Sequence, residues 1–348
     1  MKKTILSLAC ASLLGASAWA QAPSMVTYEV RIDATWSAAT HPGAYPTNAH
    51  FSPPIGALHK NTSRLWENGG MATNGIEVMA ETGATGPLTT EIQNLIAAGE
   101  AGSVLTFSPP ATPGVRTFQF TVSEDFPMVS LVSMIAPSPD WFVGVDSLPL
   151  MQNGQWVDRI VTLPAWDAGT DMGMQFTSPD MDMVPSAPIS LIQHGPFLVN
   201  NPLGTMTFTR IEIGTNYCGP AVPNSTGMSA QIDAFGSGMA GESLTLAADS
   251  MPTDQFGFFL VATDQGMMMP ANSNGMLCLG TNMGRFNQTN EIRNSGMDGA
   301  FRLVVDPDVL PFTPTVAAQS GQTYHFQAWF RENGGTSNFT DGVSVTFQ

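Results

Sequence analysis

The chain has 348 residues, 12 of them basic and 28 acidic, for a formal charge of −16. That excess excludes a nucleic-acid partner, which needs a basic face against phosphate, and it disfavours anionic lipid surfaces for the same reason. With 34 Gly, 26 Pro and only 11% charged residues, the composition points to short strands between turns, not to long helices or a parallel α/β fold.

Residues 1–20 read as a cleavable leader. Lys2-Lys3 is the basic start, 5–16 the apolar centre and Ala18-Trp19-Ala20 a small-x-small cleavage site, so the mature chain begins at Gln21. The apolar run is too short for a membrane span, which needs roughly 20 residues, and no other segment qualifies. The expectation is a bacterial protein, secreted or periplasmic, cut after Ala20. Loss of Lys2 and Lys3 makes the mature chain two charges more negative. Cys10 leaves with the leader, and Cys218 and Cys278 remain as an even pair in an oxidising compartment. A disulfide between them is expected, with two buried free thiols as the alternative.

The roughly 328 residues after the leader predict two domains, 21–214 and 215–348. The predicted fold is mainly β: two antiparallel β-sandwich domains, the first with a few short helices at one end. Alternation over 26–36 puts Tyr28, Val30, Ile32 and Ala34 on one face. Thr73 can cap a helix over 74–81 that stops at Gly83. Thr89 can cap a second over 90–98, where Ile92, Leu95 and Ile96 share a face and Gly99 ends it. Strands are predicted at 104–107, 116–122, 131–135, 156–163 and 205–213. His50 and His59 have no third ligand at metal-site spacing and read as structural histidines. Beyond a turn-rich break at 217–227, further strands are predicted at 230–235, 244–247, 256–262, 301–305, 323–331 and 342–347.

The stretch 131–171 organises the first domain. An apolar strand is stopped by Pro137 and Pro139, since proline lacks an amide donor and restricts the residue before it. Asp140 stands at that corner, Asp146 follows an apolar run, and Asp167 and Asp171 lie on a glycine-containing turn. Carboxylates on strand-end loops suit a hard cation such as Ca²⁺. Ordinary turn chemistry, in which Asp side chains bond nearby amides, is the competing reading.

Ser138-Pro139-Asp140-Trp141-Phe142-Val143-Gly144-Val145-Asp146-Ser147 and Asp167-Ala168-Gly169-Thr170-Asp171 resemble the signature of the spondin N-terminal domain, found in F-spondin, mindin and many bacterial secreted proteins. The block His50–His59 with Leu65-Trp66-Glu67 fits the same pattern. The resemblance implies an extracellular matrix or cell-surface role and a cation held by Asp140 and Asp167. The position of the family's glutamate ligand falls on Thr121, so the Ca²⁺ site is expected to be weak, roughly 10⁻⁴–10⁻³ M. Asp171 is added as a ligand from its spacing, with Asp146 and Glu124 as further oxygen sources. Tyr217–Gly227, Arg285-Phe286-Asn287 and Phe326–Arg331 resemble a C-terminal β-domain of secreted bacterial proteins, which adds architecture only.

No Gly-x-Ser-x-Gly elbow, His-Glu-x-x-His helix, P-loop or dinucleotide fingerprint is present. The sequence therefore reads as a non-enzymatic binding or adhesion protein. Its partner is an unknown extracellular protein or glycan, and a polysaccharide-binding or polysaccharide-active protein is the alternative. Of the 21 methionines, several stand in Met-x-Met or triple runs at 172–174, 181–183 and 267–269. Thioethers bind Cu(I), but methionine is also a core gap-filler, and the second reading is preferred.

Overall fold

The computed structural model describes residues 24–42, 45–193, 196–197 and 201–348. The leader at 1–20 lies outside them. In chain order the first half forms β1 (Met25–Ala34), β2 (His50–Phe51), β3 (Ile55–His59), α1 (Asn74–Thr82), α2 (Gly86–Ala97), β4 (Ala101–Thr106), β5 (Gly114–Ser123), β6 (Met128–Ala136) and β7 (Trp141–Pro149). It continues with β8 (Met151–Gln152), β9 (Gln155–Trp156), β10 (Arg159–Thr162), β11 (Trp166–Asp167), β12 (Ser190–Leu191) and β13 (Gly204–Arg210).

Two main antiparallel sheets result, with β8 and β9 forming a separate two-stranded pair. One runs β10-β13-β1-β5; the other runs β12-β11-β7-β6-β3-β4, with β2 beside β6. The expected face of β1 packs inward: Tyr28, Val30, Ile32 and Ala34 meet Val129 and Leu131 of β6 and Val143 and Val145 of β7. The Tyr28 hydroxyl donates to the carbonyls of Leu150 and Val157 at 3.0 and 2.9 Å, which satisfies the one polar group that this face buries.

The helices are not at one end of the sandwich, as expected, but on the outer face of the larger sheet. Ile76, Met79, Leu88 and Ile92 pack on Ile55, Ala57, Val132, Met134 and Phe142. Nearly every residue of β6 is therefore buried, because its two faces have separate cores. This explains why its sequence is a continuous apolar run without alternation. Thr73 caps α1, accepting from the Ile76 amide at 3.3 Å, and Gly83 ends it in the left-handed conformation at φ 71°. The second helix starts four residues before the predicted position, at Gly86, because Pro87 suits a first helical turn. Glu91 of α2 binds the helices together, accepting from the Gly75 amide and the Thr73 hydroxyl at 2.7 Å each.

The second half adds β14 (Thr215–Tyr217), β15 (Gln231–Phe235), β16 (Leu244–Asp249), β17 (Phe256–Ala262), β18 (Gln265–Met268), β19 (Leu277–Leu279), β20 (Met283–Arg285), β21 (Arg293–Asn294), β22 (Phe301–Val305), β23 (Thr323–Arg331) and β24 (Ser337–Thr346). A sheet β14-β24-β23-β17-β20, joined by β21, faces the sheet β15-β16-β22 across a separate core containing Ile232, Leu246, Phe259, Phe326 and Val345. Cys218 and Cys278 are joined by a disulfide, with Cα atoms 6.3 Å apart. Phe235 is an exception to this division, since it is buried in the first core with the Arg210 guanidinium 5.4 Å from its ring.

Candidate metal centre

The corner between β6 and β7 is fixed by Ser138, whose hydroxyl accepts from the Trp141 amide at 3.1 Å. Beyond it, β11 pairs antiparallel with β7, Asp167 lying opposite Trp141. This register brings Asp167 beside Asp140, although 27 residues separate them. The turn 168–171 then wraps over Asp140: its Oδ2 accepts from the amides of Thr170 at 2.8 Å and Asp171 at 3.2 Å. Gly169 makes the turn possible. Its φ is +75°, and a Cβ there would lie 2.2 Å from the Ala187 carbonyl oxygen. Its amide donates to Asp167 Oδ1 at 2.8 Å.

The structure thus brings Asp140, Asp167 and Asp171 to one end of the larger sheet. Asp140 is fully buried, and its second oxygen, Oδ1, has no hydrogen-bond partner. Burial and then the charge of Asp167 push its carboxyl up to about 6 from 3.8. Asp171 is also buried, and both its oxygens accept from amides, Oδ1 from Gly173 at 2.5 Å and Oδ2 from Met181 at 2.6 Å. Sequence reading missed two contributors. Thr170 supplies an amide to Asp140, and Glu81, in the last turn of α1, is raised by burial and by the neighbouring acids Glu77, Asp180 and Asp171. No basic residue stands in that last turn to offset it. Among the described residues, no three His, Cys, Asp or Glu side chains already converge as a metal cage.

The other acids named from the sequence lie elsewhere. Asp146 pairs with Arg64 at 3.1 Å, and Glu124 pairs with Arg302. Thr121 is excluded by topology. It is exposed on β5, with its hydroxyl 2.9 Å from that of Thr27, on the opposite face from the inward Phe120 and Val122. His59 is buried, and its Nδ1–H donates to the Lys60 carbonyl at 2.7 Å, which leaves Nε2 to accept from Ser130 at 2.9 Å. His50 donates to the Asn48 carbonyl at 2.8 Å. Both act as hydrogen-bonding residues here.

A cleft of about 260 Å³ opens beside the acids, lined by Trp141, Asp167, Asp171, Met172, Met174 and Met183 among others. Trp141 packs edge-on against Phe176 and Phe197 beneath it, with ring centroids 5.3 and 5.4 Å away.

Comparison with known proteins places similarity on this half of the chain. The Spondin_N family profile matches residues 26–203. Spondin-2 of Rattus norvegicus and of Homo sapiens are each 35% identical over 188 residues, which is 51% of this chain and 56% of theirs. Spondin-1 of Rattus norvegicus is 32% identical over 183 residues, 48% of this chain and 22% of that protein. The chain therefore spans about half the length of the spondin-2 proteins and less than a quarter of spondin-1. The matched segment contains every residue of the acidic corner.

Proposed function

The chain belongs to the Spondin_N family, and from that premise we propose that it is a non-enzymatic extracellular binding or adhesion protein with a weak Ca²⁺ site at Asp140, Asp167 and Asp171. One observation carries the cation: the fully buried Asp140 has an oxygen without a partner beside a second carboxylate. An isolated buried charge is costly, and a hard divalent ion offsets both the burial and the repulsion. The donor set fits, being oxygen only, as Ca²⁺ prefers. Asp140 and Asp167 would hold the ion. Asp171 would add an oxygen while fixing the loop through its two amide bonds, and carbonyls or water would fill the remaining positions. Bound there, the ion would lock the 167–183 loop to the start of β7 and so fix the shape of the cleft.

The partner is proposed to be an extracellular protein or glycan. Secretion follows from the leader reading, and no helix among the described residues is long and apolar enough to cross a membrane. The two-domain division at 214/215 is likewise proposed, on the separate cores of the two halves. The test of the metal reading is melting temperature in EDTA and in several millimolar Ca²⁺, for the wild type and for Asp140→Asn and Asp167→Asn. A Ca²⁺-dependent rise lost in both variants supports the site. Identical melting in all conditions rejects it.

A further inference from the structure

The two Met-x-Met segments, 172–174 and 181–183, are brought together by the fold. Asp171 bridges antiparallel to Asp182; the Met172 amide donates to the Met181 carbonyl at 2.9 Å, and the Met183 amide to the Thr170 carbonyl at 2.7 Å. In that register Met172 is directly opposite Met181. From these two paired segments Met172, Met174 and Met183 line one cleft, together with Asp171.

These methionines do not fill a core. Met172 and Met174 are 49% and 72% exposed and Met183 is half-buried, so the core-packing explanation that serves for the buried Met79 or Met206 does not account for them. Their backbone is nonetheless fixed. Asp171 accepts from the amides of Gly173 and Met181, and a Cβ on Gly173 would lie 2.6 Å from the Pro139 ring. Thioethers held around one cleft are a set of soft, neutral donors. Asp167 and Asp171 line the same cleft and give it a negative potential that concentrates cations.

We propose that Met172, Met174 and Met183 form a site for one monovalent soft metal ion, Cu(I), in which thioether sulfurs are the ligands. Thioethers prefer Cu(I) over the hard or borderline divalent ions, which keep to oxygen and imidazole. The site differs in chemistry from the carboxylate centre, its ligands being sulfur and not oxygen, and it needs no Ca²⁺ bound there, since the carboxylates contribute only their charge.

The test uses the full mature chain with its disulfide intact, in EDTA, titrated anaerobically with Cu(I) against a competing bicinchoninate chelator and separately with Ag(I) as a redox-inert analogue. Native mass spectrometry counts the bound ions. The wild type is expected to retain one ion. M172L/M174L/M183L, which keeps the apolar bulk, is expected to retain none, and M267L/M268L/M269L to behave as wild type. X-ray absorption of the Cu(I) form should show a sulfur shell. Three results would overturn the proposal: no ion held by the wild type, an ion retained by M172L/M174L/M183L, or a first shell of oxygen and nitrogen. An apolar partner filling the cleft instead would give the first of these.

Discussion

Asp140 makes the acidic corner sensitive to pH when the cation is removed. Its carboxyl is raised from 3.8 to about 6 by burial and by Asp167, so the native state binds this proton more tightly than the unfolded chain does. The associated stability is fully present below pH 4 and is lost as pH rises through about 6. A rise of that size corresponds to about 3 kcal/mol at neutral pH. The assay is urea unfolding in EDTA from pH 4 to 8, comparing wild type with Asp140→Asn. Asp233, also raised to about 6, titrates in both proteins and cancels in the difference. The difference curve should therefore move by about 3 kcal/mol in favour of the variant as pH rises. Saturating Ca²⁺, at about 100 times its dissociation constant, should return about 2.7 kcal/mol to the wild type and nothing to the variant. Parallel curves in EDTA would refute the account of Asp140, and a Ca²⁺ response retained by Asp140→Asn would refute its role as a ligand.

Other outcomes follow from the same structure. The oxidised mature protein should show no titratable thiol after denaturation, and Cys218→Ser with Cys278→Ser should lower stability by about 4 kcal/mol, since the bridge spans 60 residues. Gly56→Ala should destabilise by about 3 kcal/mol or prevent soluble expression, because its Cβ would lie 1.8 Å from the Ser130 carbonyl oxygen between β3 and β6. A fragment covering 21–214 should fold, yet melt below the full chain, because Phe235 leaves the first core with the second half. A fragment that stays unfolded, by circular dichroism and thermal melting, would contradict the proposed boundary.

The sequence determined much of the local structure through rules that act over a few residues. Alternation marked the inward face of β1, Thr73 and Gly83 set the ends of α1, and the β17, β22 and β23 bounds matched the predicted runs. The Pro137/Pro139 corner and the Asp167–Asp171 turn were legible because proline and glycine constrain the backbone wherever they stand. Long-range placement was not. The continuous apolar run of β6 does not say what covers its second face, and only packing put α1 and α2 there. The family pattern placed its glutamate's position at Thr121, but a strand's residues alternate between faces, and pairing with β1 sends that side chain outward to Thr27. Asp140, Asp146, Asp167 and Asp171 look alike as sequence. Tertiary structure separated them by giving Asp146 a cation in Arg64 and Asp171 two amides, while Asp140 was buried with one oxygen unpaired. The methionines illustrate the same limit: two Met-x-Met segments offset by nine residues came to line one cleft only when Asp171 paired with Asp182, because strand register is a property of the fold and not of either segment.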